Sequence, residues 1–128
     1  MSSLLRGKPS SRSFASVTVT TEADGLSDAV NISGLTLSAI QMSTAWTEAR
    51  VGFRASIDGT TNFYDVYDTA GNFLTYPTSA SRVVALDPAV FSGLQQLKLV
   101  SETSAGAAVA QGAARAVVLG LSEFVTAD

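Results

Sequence analysis

A chain of 128 residues is the usual size of one domain, and 46% hydrophobic content is enough to build one sizeable core. With no Cys, disulfides and thiolate metal sites are excluded; with no His, the commonest general base, the commonest transition-metal ligand and any Ser-His-Asp or Cys-His arrangement are missing. Charged residues are only 15%, against about 25% in ordinary soluble chains, and the net charge of −3 is uneven: residues 1–13 hold Arg6, Lys8 and Arg12 with no acid, whereas residues 14–128 hold five bases and eleven acids.

Residues 1–13, MSSLLRGKPSSRS, are polar and Ser-rich with no usable periodicity, which predicts an extended basic arm outside the folded body. Its charge is not followed by an apolar run, so no secretory leader is expected there. Nowhere in the chain does an apolar stretch approach the ~20 residues of a membrane span. The expected residence is the cytoplasm, or an assembly built there. Three bases without interleaved aromatics make a poor nucleic-acid footprint, and an acidic protein surface accounts for them equally well.

From Phe14 the pattern turns to strands. Residues 14–21 put Ala15, Val17 and Val19 on one face, and Glu22-Ala23-Asp24-Gly25 turns the chain. A short strand over 29–33 ends at Gly34. The next, over 35–43, changes its apolar phase between Ala39 and Ile40, the signature of a bulge or of burial on both faces. A loop over 44–49 carries Trp46, the only Trp.

The stretch Arg50 to Asp68 reads as a β-hairpin around which the rest is arranged. Val51, Phe53, Ala55 and Ile57 alternate strictly with Arg50, Gly52, Arg54 and Ser56, and Asp58-Gly59-Thr60-Thr61-Asn62 supplies the turn. That alternation places Arg50 and Arg54 on the face away from Phe53, where a partner is expected if solvent does not cover it. A second turn at 69–72 uses Gly71-Asn72 as its positive-φ pair. Strands over 73–76 and 82–86 follow. Asp87-Pro88 opens one helical turn that Gly93 closes, because Asp caps and Pro suits the first helical position. Strands over 94–101 and 113–121 complete the chain, the last with Val117, Leu119 and Leu121 pointing one way.

Some eight short strands at about ten-residue spacing, with no helix of ordinary length, predict an all-β domain over 14–128: a β-sandwich, jelly-roll-like, preceded by the arm. The connections near 77–81 and 102–112 are long enough to cross between sheets. The expected core includes Val17, Ile40, Phe53, Ile57, Val84, Leu86, Phe91, Leu97, Leu99 and Val117.

Asp58, Asp65 and Asp68, with Asn62, offer oxygen ligands beside one hairpin, but the spacing is not that of an EF-hand loop, and turn and surface roles account for them. No metal or cofactor is expected. Trp46 with Tyr64, Tyr67 and Tyr76 could form a sugar-stacking platform; Trp46 is the residue whose exposure decides it. A pair of carboxylates facing each other across a cleft would be needed for a glycosidase. No catalytic residues are assigned, and no Gly-rich phosphate loop is present.

Several segments resemble a family of small structural proteins encoded among the head genes of tailed bacteriophages. They are Ile40-Gln41-Met42, Ala45-Trp46-Thr47, Phe53 through Ser56-Ile57-Asp58-Gly59, and Asp65-Val66-Tyr67-Asp68. Ala80-Ser81-Arg82, Ala85-Leu86-Asp87-Pro88, Phe91-Ser92-Gly93, Leu97-Lys98-Leu99-Val100-Ser101 and the strand of Arg115 continue the likeness, which spans about residues 35–120. The resemblance implies a non-enzymatic virion component on the capsid exterior, a decoration or cement protein whose partner is the major capsid protein, with a homo-oligomer such as a trimer as one form. Arg6, Lys8, Arg12, Arg50 and Arg54 are then the expected capsid contacts. A carbohydrate-binding sandwich of a head or tail fibre is the alternative.

Overall fold

The computed structural model describes residues 12–59 and 62–123. Nine strands and one helical turn follow in the order β1 (Arg12–Val19), β2 (Val30–Asn31), β3 (Thr36–Gln41), β4 (Arg50–Ser56), β5 (Tyr64–Asp65), β6 (Thr75–Tyr76), β7 (Val83–Ala85), α1 (Pro88–Phe91), β8 (Gln96–Glu102) and β9 (Arg115–Ser122). They form two antiparallel sheets. One has the strand order β1-β9-β3-β7; the other has the order β2-β8-β4-β5, with β6 also paired to β4. The molecule is an all-β sandwich. The body begins two residues earlier than the sequence suggests, since Arg12 and Ser13 already pair with Ser122 and Leu121. Arg6 and Lys8 lie outside the described residues.

Each sheet turns one face inward, and the period of two decides which residues meet there. Val17, Leu37, Ile40, Val117, Leu119 and Leu121 come from the four-stranded sheet, and Val51, Phe53, Leu97 and Leu99 from the other, all of them buried. Phe53 is the hub: its ring stands edge-on to Phe91 at 5.0 Å and to Tyr76 at 5.9 Å. Phe91 reaches this position because Asp87 caps α1, its carboxylate accepting the Ala89 N–H at 3.0 Å, with Pro88 in the first turn. The helical turn packs on β3.

Both anticipated crossovers are present: residues 77–82 carry the chain from β6 to β7, and 103–114 from β8 to β9, each time into the other sheet. The irregularity expected in the third strand is a register shift between Leu37 and Ala39 against β9.

Three expectations need correction. Ile57 is 74% exposed. The Ser56 hydroxyl donates to the Asp58 carboxylate at 3.1 Å and starts the turn one residue early, so the alternation stops before Ile57 can reach the core. Val84 is only half-buried, because β7 is a three-residue edge strand. In the turn at 69–72 only Gly71 has positive φ (84°). The Asp68 carboxylate does the rest, accepting from the Ala70 and Asn72 N–H groups at 2.9 Å each.

Candidate functional site: the two outer sheet faces

The outer face of the five-stranded sheet is where β4 and β8 bring charge together. The register sets Arg50 opposite Glu102, Gly52 opposite Val100 and Arg54 opposite Lys98. Arg50 does not reach outward: its guanidinium donates to the Thr75 hydroxyl at 3.3 Å and the Thr75 carbonyl at 3.1 Å. Arg54 pairs with Asp65 at 3.2 Å while remaining partly exposed, a geometry that contributes little to stability. The Lys98 ammonium stands 4.7 Å from the centre of the Phe63 ring. Of the five bases expected to contact a capsid, Arg50 is therefore held internally, Arg54 is a surface ion pair, Arg12 opens β1, and Arg6 and Lys8 lie outside the described residues.

Glu102 is the unusual member. It is 2% exposed and lies across Gly52, so that a Cβ added there would stand 1.9 Å from its Oε2. This oxygen and the Thr78 hydroxyl are buried without a hydrogen-bond partner among the described residues. Burial pushes the Glu102 carboxyl up from its ordinary value; the Thr75 hydrogen bond opposes this, Asp65 adds to it, and Arg54 and Arg50 oppose it. A carboxyl raised in the folded state adds stability that is complete below the unfolded value near 4.5 and is lost as pH rises through the folded value. Glu102→Gln is therefore expected to raise the urea midpoint at pH 7.5 and to leave it unchanged at pH 4. Equal midpoint shifts at both pH values would contradict the assignment.

The outer face of the four-stranded sheet has the opposite character. Its outward positions are Phe14, Ser16 and Thr18 on β1, the even-numbered residues from Ala116 to Ser122 on β9, Ala39 and Gln41 on β3, and Val83 and Ala85 on β7. None of these is charged, and Arg12, at one end of β1, is the single charge at the register positions of this face. Phe14 (77% exposed) and Val83 (63%) stand on its two edge strands, and a shallow depression of about 140 Å³ lies between Ala39, Gln41, Val83, Val118 and Gly120. Four strands about 4.8 Å apart and about 20 Å long make a face of roughly 400 Å². Sequence periodicity defines each outward set; that four such sets adjoin with a single charge among them is visible only once the strand order is known.

Trp46 is not an exposed platform. It is 5% exposed, and its indole N–H donates to the Ala49 carbonyl at 3.2 Å. The Ser43 hydroxyl and carbonyl accept from the Ala45 and Trp46 N–H groups, a tight turn that folds the ring into the core. Of the four residues of that platform, Tyr64 (71%) and Tyr67 (57%) are exposed. Tyr64 borders an open groove of about 440 Å³ with Ile57, Leu94, Asp58 and Asp65. The three hairpin acids have separate local partners: Ser56 for Asp58, Arg54 for Asp65, the 69–72 turn for Asp68. Among the described residues, no group of three or more Asp or Glu could hold a metal ion. Glu48 and Glu102 border a second cleft, of about 310 Å³. Glu102 Oε2 packs on Gly52, and Glu48 accepts a bond from the Ser79 hydroxyl at 3.3 Å. Comparison of the chain with family models, with curated proteins and with solved structures found no match.

Proposed function

We propose that this chain is a non-enzymatic structural protein of a phage virion, binding the capsid exterior as a decoration or cement subunit. The observation that carries the reading is the outer face of the four-stranded sheet, whose register positions hold a single charge, Arg12 at one end of β1, with Phe14 and Val83 exposed at its margins. A contiguous face of this kind is the type of surface that proteins keep for contact with another protein. The resemblance in residues 35–120 supplies the partner, a major capsid protein. A face of roughly 400 Å² is half of the ~800 Å² per partner of a standard stable interface. One copy on one capsid subunit is thus held weakly, and firm attachment comes from engaging several subunits of a symmetric lattice at once. The burial of Trp46 removes the residue on which the carbohydrate reading was centred.

The test is add-back to particles. Particles of the phage or prophage that encodes the chain, prepared without it, are mixed with the purified protein, and bound copies are counted by quantitative mass spectrometry. Saturable binding in a fixed ratio to capsid subunits is expected, with affinity at least about tenfold lower for Val118→Glu, since a charge on a desolvated patch is unpaired. A chain that does not bind its own particles, or that binds equally well with Val118→Glu, would overturn the reading.

A further inference from the structure

The second edge of β1 carries an inference that stands whether or not the capsid reading holds. β1 pairs with β9 along its whole length in one uninterrupted register. Among the described residues, its other edge is occupied only at the C-terminal end. There the Thr18 N–H donates to the Asp28 carboxylate at 2.8 Å, Val19 bridges to Ser27, and the Thr20 N–H donates to the Leu26 carbonyl. Because Thr18 directs its N–H away from β9, the period of two directs the N–H and C=O groups of Phe14 and Ser16 the same way. No described strand meets them there.

Natural edge strands are blunted by Lys, Pro, bulges or a covering element. From Arg12 to Ser16, RSFAS, the strand has no Lys, Pro or bulge, and its one charged residue, Arg12, is the first. The open half, Arg12 to Ser16, is five residues long and ends where the 26–28 segment begins to cover the edge. An extended segment of that length matches an antiparallel copy of itself. The one charged residue of the segment, Arg12, falls opposite Ser16 when two such segments pair about Phe14, so two copies meet without like charges directly opposed.

We propose that the open half of β1 pairs with the same strand of a second copy, antiparallel about a two-fold axis at Phe14. Phe14 then stands opposite Phe14 of the second copy and Arg12 opposite Ser16. Phe14, Ser16 and Arg12 exchange the ladder bonds, and the two exposed Phe14 rings cover each other. The two four-stranded sheets become one eight-stranded sheet with a continuous face whose register positions carry one charge per copy, Arg12. A trimer, by contrast, cannot be closed by this contact, because an isologous pair uses up the edge in both copies.

The chain has no Cys, so single-Cys variants report the contact without background. Directly opposed residues of an antiparallel hydrogen-bonded pair have Cα atoms about 5.5 Å apart, within disulfide reach. Phe14→Cys in the full chain is expected to give a disulfide-linked dimer as the main product of mild oxidation. Val83→Cys, equally exposed but on the far edge, is expected to stay monomeric. Adding Ser16→Pro to Phe14→Cys removes one outward N–H per copy, leaves the β9 ladder intact and is expected to slow cross-linking about tenfold. In the absence of any Cys, sedimentation velocity at up to about 500 µM is expected to show a dimer for the wild type and a monomer for Phe14→Glu, whose like charges would be directly opposed. Cross-linking at Val83→Cys as fast as at Phe14→Cys would overturn the proposal, and so would a wild type that remains monomeric over this range. A closed edge covered by residues 1–11 of the same chain would appear as failure of Phe14→Cys to cross-link, and that too would overturn it.

Discussion

Phe53→Ala is expected to destabilise the fold by about 3–5 kcal/mol, read as a lower urea midpoint with an unchanged slope. Phe53 is 1% exposed and is the residue through which three elements touch: its own strand β4, the helical turn through Phe91, and β6 through Tyr76. Truncation removes both edge-to-face ring contacts as well as the transfer energy of the ring, and the rigid flanking strands close over the space only in part. Against a total stability of about 5–15 kcal/mol, such a loss leaves a fold that is marginal at 37 °C. A control at Tyr64, whose ring is 71% exposed, is expected to change stability by less than about 0.5 kcal/mol when replaced by Ala. Equal effects at both positions would mean that Phe53 does not occupy the core position assigned to it.

Gly52→Ala is the second large effect, and it arises on the opposite face of the same strand. Gly52 has no need of positive φ; its requirement is space, because the Glu102 carboxylate occupies the volume where a Cβ would go. Adding the methyl forces either the carboxylate off its site or β4 away from β8. Overpacking of this sort costs about 1–3 kcal/mol, which exceeds the ~0.4–1 kcal/mol that Gly→Ala gains from a less flexible unfolded chain. The diagnostic is the double variant. If the clash with Glu102 is the cause, Glu102→Ala in the Gly52→Ala background restores most of the lost stability, and the coupling between the two changes exceeds about 1 kcal/mol. Additive effects would show that some other contact of Gly52 is responsible.

The two faces of β4 also show how far local reasoning reaches. Strict alternation from Arg50 to Ser56 is a property of adjacent residues, and it correctly separated Phe53 from Arg50 and Arg54. It did not extend to Ile57, because a single side-chain bond from Ser56 to Asp58 ends the strand, and nothing in hydrophobic period announces that bond. What Arg50 and Arg54 do on their face was likewise not legible. Thr75 is 25 positions from Arg50, and it is there only because β6 pairs with β4 along the same edge as β5.

Gln111 makes the same point for a polar residue. In sequence it sits in a small-residue loop without distinction. In the fold it is 3% exposed and its amide is used completely: the nitrogen donates to the Thr47 carbonyl and the Ser101 hydroxyl, and the oxygen accepts from the Thr47 N–H at 2.7 Å and the Arg115 guanidinium at 3.4 Å. It ties the second crossover to the loop carrying Trp46. That satisfied network, together with the turn at Ser43, is what turns the only Trp into a core residue.

By itself, then, the sequence determined the all-β class, the inward residues of β1, β8, β9 and β4 as far as Ala55, the capped helical turn at Asp87-Pro88 and two of the places where the chain changes sheets. These follow from period, turn chemistry and loop length, which are settled among neighbours in the chain. Only the tertiary structure decided that Glu102 lies on Gly52, that Trp46 is buried, that no described strand meets the N-terminal half of the outer edge of β1, and that four outward sets with a single charge among them form one surface. Each of those depends on which strands lie side by side and in what register. That choice is made by packing two whole sheets against one core, and no stretch of a few residues encodes it.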